Sequence, residues 1–139
     1  MEKASKIFLI NSQKQILLYL RDNKPRICYP EYWDIFGGAA EKNETPLESL
    51  KREIQEEIEQ ELEIFKPEFI GNIFFKKDKL NLADADVSIF KGEIDLDIDK
   101  IKLNEGQRLK FFTFDKILKL KFPRPYIEFM VKNKDKLFL

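Results

Sequence analysis

The chain predicts a single mixed α/β domain. Short apolar, β-branched and aromatic runs are interleaved with two helical stretches, and 139 residues at 43% hydrophobic content with 13 Phe suffice for one real core. A capped amphipathic helix near position 46 adds the third observation. No internal repeat, low-complexity tract or linker divides the chain, so residues 1–139 read as one unit.

Lys6-Ile7-Phe8-Leu9-Ile10 and Gln15-Ile16-Leu17-Leu18-Tyr19-Leu20 read as strands joined by the polar turn Asn11-Ser12-Gln13-Lys14, a predicted hairpin. A loop from Asp22 to Pro30 leads to Tyr32-Trp33-Asp34-Ile35-Phe36, a short strand, after which Gly37-Gly38 permits close backbone approach. Thr45-Pro46 then opens a helix, because Thr can cap free amides and Pro is tolerated at the first helical position. Leu47, Leu50, Ile54 and Ile58 recur at steps of three and four and predict its core-facing stripe. Strands follow over Glu68 to Phe75, Asp86 to Glu93 and Lys110 to Phe114, and the tail from Pro125 to Phe138 reads as a closing helix with Ile127, Met130 and Val131 on one side.

The first long helix carries an unusual charge pattern. At about 100° per residue, Glu53, Glu56 and Glu57 fall in a wedge of about 100° beside the apolar stripe, not on the far solvated side. Like charges at these spacings each destabilise an isolated helix by roughly 0.2 to 0.5 kcal/mol, and low-dielectric surroundings raise that cost. A divalent cation among them reverses the sign. Magnesium suits hard oxygen donors and bridges carboxylates to substrate phosphates, and manganese fits the same donors. The planar fork of Arg52 can hold one of these carboxylates in a single rotamer, an orienting role.

Gly38, Glu44, Arg52, Glu53, Ile54, Glu56 and Glu57 stand in register with Gly, five residues, Glu, seven residues, Arg-Glu, an aliphatic, any residue, Glu-Glu. The stretch resembles the Nudix box. Two places depart, since Glu59 stands where the family has Gly and Gln60 where it has an aliphatic residue. Glycine there ends the helix in a left-handed conformation, which costs Glu about 1 kcal/mol or more, so the helix is expected to run on toward Leu62.

The resemblance implies the Nudix fold, a mixed β-sheet sandwiched between α-helices, and a pyrophosphohydrolase acting on a nucleoside diphosphate linked to a further group. It implies Mg²⁺ or Mn²⁺ held by Glu53, Glu56, Glu57 and the Gly37 carbonyl, with Gly38 and Glu44 structural in the box. Asn104-Glu105-Gly106-Gln107 resembles a Glu-Gly-Gln of MutT-like triphosphate pyrophosphohydrolases, which implies Glu105 as a metal ligand or base and favours a nucleoside triphosphate substrate. Read as residues alone, Glu105-Gly106 is an ordinary polar turn. Glu53 and Glu105 both stand as candidates for general base. Related enzymes often carry a basic residue near the substrate where Arg21 ends the second strand, so it either contacts phosphate or is a surface Arg. Nucleotide sugars, dinucleoside polyphosphates and a non-catalytic nucleotide-sensing module are the alternatives.

Composition removes other chemistries. Without a single His, Ser-His-Asp and Cys-His schemes and His-based zinc sites are excluded, so carboxylates must carry acid-base work. Lys plus Arg equals Asp plus Glu at 25 each, which gives no basic field for long nucleic acid. The partner expected is a small nucleotide, on a monomer or homodimer. Cys28 has no second thiol, no apolar run approaches 18 residues, and Met1 to Lys6 lacks a signal-peptide core; a cytoplasmic protein without membrane contact is the expectation. Trp33, Tyr32, Phe74 and Phe75 read as core residues before base-stacking ones.

Overall fold

The computed structural model describes residues 1–138. Seven strands, β1 (Glu2–Ile10), β2 (Gln15–Leu20), β3 (Trp33–Asp34), β4 (Phe36–Ala39), β5 (Glu68–Phe75), β6 (Ala85–Glu93) and β7 (Arg108–Thr113), form one mixed sheet. The helices are α1 (Pro46–Ile58), α2 (Phe114–Ile117), α3 (Arg124–Lys132) and α4 (Lys134–Phe138).

Alternation along the central strands explains the layers. Ile7 and Leu9 of β1 and Leu17 and Tyr19 of β2 pack with Leu50, Ile54 and Ile58 of α1. Phe8, Ile16 and Leu18 point the other way and pack with Tyr126 and Met130 of α3. Successive side chains of a strand face opposite sides, so strands buried on both faces need a helix on each. The expected sandwich of a mixed sheet between helices is what forms.

The hairpin of β1 and β2 departs from expectation in an instructive way. The two strands pair at Ile10 and Ile16 and then part. From Ala4 to Ile7, β1 pairs instead with β4, while β2 pairs with β3 through Tyr19 and Leu20 and with β7 along its whole length. The run from Tyr32 to Phe36, expected as one strand, therefore crosses at Ile35 from the β2 side of the opening to the β1 side. At Gly37 the crossing chain presses on β1 so closely that a Cβ would stand 2.0 Å from the Ser5 carbonyl oxygen, and φ there is +125°. Only glycine fits. On its other edge β1 runs parallel to β6 from Glu2 and Ala85 to Ile10 and Glu93.

Thr45 caps α1 as expected, and does so in a reciprocal box: its hydroxyl accepts from the Glu48 N–H (3.1 Å) and the Glu48 carboxylate accepts from the Thr45 N–H (2.9 Å). The other end corrects the reading. α1 does not run on toward Leu62; it stops at Ile58, and Glu59 itself takes the left-handed conformation, φ 53° and ψ 44°. Leu47 is corrected too, being half exposed in the first turn, where α1 has not yet reached the sheet. In the tail, Met130 is buried but Val131 is exposed, and the closing helix breaks at Asn133 into α3 and α4. Phe114 begins α2 instead of ending β7, because Thr113 caps that turn by accepting from the Lys116 N–H. Of the aromatic residues, Trp33 and Phe75 are core, whereas Phe74 is exposed on β5.

Ile54→Ala should lower unfolding free energy by about 2 to 4 kcal/mol in urea titration, and Leu47→Ala by less than about 1 kcal/mol. Ser49, fully buried in α1, has a hydroxyl with no partner among the described residues. Ser49→Ala should therefore stabilise, by roughly 0.5 to 1 kcal/mol, since it deletes an unpaired polar atom and improves helix propensity.

Candidate active site

Three elements meet at the end of the opening between β1 and β2: the crossing chain at Gly37, the sheet-facing side of α1, and the loop from Asn104 to Gln107. The wedge of carboxylates on α1 is graded by depth. Glu57 is buried, Glu53 half-buried and Glu56 exposed. The Gly37 N–H donates to Glu57 Oε1 at 2.8 Å, which locks the deepest carboxylate against β4. A Cβ on Gly38 would meet the Glu53 carboxyl at 2.8 Å, so that position must be bare for Glu53 to lie against the strand.

Arg52 orients this cluster, and more fully than its sequence position suggested. Its Nε and Nη2 bond the two oxygens of Glu44 at 2.8 and 2.9 Å, Nη1 donates to Glu53 at 3.0 Å and reaches Glu56 at 3.4 Å, and Nη2 also donates to the Ala39 carbonyl at 3.0 Å. This fork-on-carboxylate pairing holds the Glu44 carboxyl well below the usual range, at about 2. Glu44 thus serves as an anchor for Arg52, and Arg52 ties the box loop to α1.

Glu57 experiences the opposite field. Burial is the main cause pushing its carboxyl up to about 9; Glu105, close enough to share a hydrogen bond, adds to this, while Lys6 and the Gly37 N–H pull the other way. Glu53 is raised as well, again chiefly by burial, against the pull of Arg52. The Glu105 loop is fastened at both ends. Asn104 donates from its backbone to the Glu57 carbonyl (2.8 Å), and Gln107 donates from its backbone to the Leu20 carbonyl (2.8 Å) and from its side chain to the Arg21 carbonyl (2.9 Å).

Arg21 turns inward. Its Nε bonds the Cys28 carbonyl at 2.8 Å, and its Nη1 bonds the Tyr19 hydroxyl and Asp34 at 3.1 Å each. Lys6, almost fully buried, bonds the same Asp34 oxygen and the Ile35 carbonyl at 3.2 Å. Sequence reading passed over Lys6, which opens an apolar run, and Asp34, which is set inside one, although together they have opposite sign. Such a buried trio is held by mutual pairing, and removing any one member strands the others.

As folded, no group of three or more carboxylates among the described residues is drawn together around one point that could hold a metal ion. Arg52 bonds Glu53 and Glu56, while Gly37 holds Glu57 on the strand side. The site offers only hard oxygen donors with a buried carboxyl pressed against a second one, a donor chemistry that fits magnesium or manganese once side chains of the exposed residues turn. A cavity of about 1030 Å³ at the other end of β1, lined among others by Lys14, Phe65, Glu93 and Leu137, contains none of these carboxylates.

Burial of Glu57 has a measurable sign. Between the ordinary carboxylate value of 4.5 and about 9, the folded protein holds this proton more tightly than the unfolded chain, so metal-free stability is fully present below that window and falls as pH rises through it. Glu57→Gln keeps an oxygen for the Gly37 N–H and buries no charge. In chelator at pH 8 it should be more stable than the parent, by roughly 1 to 3 kcal/mol of unfolding free energy, and melt higher with a flatter dependence on pH; a lower melting point would contradict the burial argument.

The solved structures similar to this chain share its architecture. The MutT protein from Methanosarcina mazei Go1 superposes with a TM-score of 0.81 at 22% identity, covering 97% of this chain and 94% of that one. The NUDIX domain of Shewanella oneidensis NrtR, solved with ADP ribose, gives 0.73 at 11% identity over 96% and 86%. The E. coli dihydroneopterin triphosphate pyrophosphohydrolase gives 0.70 at 14% over 91% and 90%. At such identities the likeness speaks for the fold. The family model for the NUDIX domain matches residues 2–131, nearly the whole length, with the box carboxylates inside it. The chain therefore belongs to the NUDIX family of nucleotide-linked pyrophosphohydrolases.

Proposed function

We propose that the protein hydrolyses a nucleoside triphosphate to the monophosphate and pyrophosphate, using Mg²⁺ or Mn²⁺ held by Glu53, Glu56, Glu57 and Glu105 with the Gly37 carbonyl. The observation that carries the reading is the buried Glu57 set beside Glu105, two acids from separate elements that form no ion pair among the described residues. Evolution toward stability alone would not keep such a pair, because each carboxyl raises the cost of ionising the other. A bound divalent cation supplies the missing charge and neutralises diphosphate oxygens.

The chain's own groups divide the remaining work. Arg52 keeps Glu53 in one orientation while Glu44 keeps Arg52 in place. Either Glu53 or Glu105 takes the proton from the attacking water. Glu53 lies half-buried with its carboxylate already bonded by Arg52, whereas Glu105 is exposed at the rim where a water arrives. Its exposure supports Glu105 as the base in this reading. Arg21, committed to Asp34, Tyr19 and the Cys28 carbonyl, lies near enough to Glu105 to contribute positive field without leaving its partners. The triphosphate preference follows the Asn104-Glu105-Gly106-Gln107 likeness. A second reading, a nucleotide-sensing or nucleotide-sugar-binding domain, takes support from the ADP ribose bound by the NrtR domain.

Phosphate release, coupled to added pyrophosphatase, across nucleoside triphosphates, nucleotide sugars and dinucleoside polyphosphates tests the reading in magnesium, manganese and chelator. Metal-dependent turnover of triphosphates is expected, with Glu57→Gln lowering kcat by about 10²-fold or more, and Glu105→Gln by a comparable factor with loss of the acidic limb of the pH profile. Full activity in Glu57→Gln would sink the metal assignment. Turnover confined to another substrate class would replace the triphosphate.

A further inference from the structure

Glu59 occupies the place where the family carries glycine, and it adopts the left-handed conformation that glycine would adopt freely. A Glu in that conformation is strained, so something must favour it there. Its carboxylate accepts from Asn104 Nδ2 at 2.8 Å and lies 3.2 Å from Lys102 Nζ, and both donors belong to the segment leading into Glu105. The same Asn104 caps the end of α1, donating from Nδ2 to the Glu56 carbonyl at 3.0 Å and from its backbone to the Glu57 carbonyl at 2.8 Å.

These bonds depend on where α1 stops. Carbonyls of a last helical turn have no partner within the helix. Had α1 run on toward Leu62, the N–H groups of residues 60 and 61 would take the Glu56 and Glu57 carbonyls, and Asn104 would have nothing to bond. The left-handed turn at Glu59 leaves those carbonyls open, and the Glu59 side chain then grips the residue that fills them.

We infer that Glu59 is a positioning residue: through Asn104 and Lys102 it holds the loop that sets Glu105 beside Glu57. The assignment rests on Glu105 acting at the proposed pyrophosphohydrolase site. Beyond Glu105 the loop is held independently, since at Gly106, φ +81°, a Cβ would meet the Leu20 carbonyl at 2.6 Å and the Tyr19 ring at 2.7 Å. Glu59 therefore governs the near half of the loop, the half that carries the approach to Glu105.

Glu59→Gly separates the grip from the turn, because glycine keeps the left-handed helix end and deletes the carboxylate. The expected result is an unchanged or higher melting temperature, faster amide hydrogen exchange at Asn104 by about tenfold, exchange at Gln107 unchanged, and kcat lowered by about fivefold or more with KM within about twofold. Glu59→Gln, which keeps an oxygen for Asn104 Nδ2, should restore most of both. Parental exchange and parental kcat in Glu59→Gly would overturn the inference. Should the parent protein turn over no nucleotide, the reading of the site fails, and exchange at Asn104 still decides whether Glu59 holds the loop.

Discussion

The approach of the backbone at Gly37 to β1 is the constraint on which the other parts of the site depend. It lets the chain cross from β2 to β1 at Ile35, and that crossing aims the Gly37 N–H at Glu57. Adding a single carbon there would collide with the Ser5 carbonyl, so the strand would have to back away from β1 and release the carboxylate it holds. Gly38, Glu53 and the Arg52 fork then follow from the same placement, because α1 can lie against β4 only if the strand presents bare backbone. The site is thus set first by sterics and only then by charge.

Charge in the interior is handled in two distinct ways. Beneath the site, Lys6, Asp34 and Arg21 satisfy one another and neighbouring carbonyls, so their burial is compensated by short, direct pairing. At the site itself, Glu57 and Glu105 lie side by side, each raising the cost of ionising the other, and neither forms an ion pair among the described residues. The contrast separates two kinds of buried charge: the first is satisfied by direct pairing within the chain, the second by holding a proton. Arg21, for which sequence position left open a phosphate contact or a surface role, is turned inward onto Asp34, Tyr19 and the Cys28 carbonyl.

The spacing from Gly38 to Glu57 made the box legible, because it combines a period that places carboxylates on one side of a helix with a cap that fixes where the helix starts. Thr45 and Pro46 are local signals, and the helix starts where they place it. The end of α1 was misread because its cause is not local: Asn104 lies far along the chain, and only the fold brings it to the Glu56 and Glu57 carbonyls. The same holds for the parting of β1 and β2, which looks like a plain hairpin until β4 is seen to take one side of β1. Lys6 and Asp34 were missed because pattern reading treats a lone charge in an apolar run as noise, whereas here two such charges find each other across the opening. Exposure of Leu47 and Val131 reflects helix ends that reach beyond the surface they pack on.

The parallel pairing of β1 with β6 joins the first residues of the domain to residues more than halfway along it. A ribosome releasing this chain would expose β1 with one side unpaired until β6 has emerged, and the ordering of so distant a contact is entropically slow. The apolar run Ile7 to Ile10 must therefore be shielded in the meantime, and the nearby β2 and α1 are the segments available to do so. Within this domain the central strand precedes its parallel partner by more than half the length, which makes the maturation of the domain a matter of timing as well as of stability.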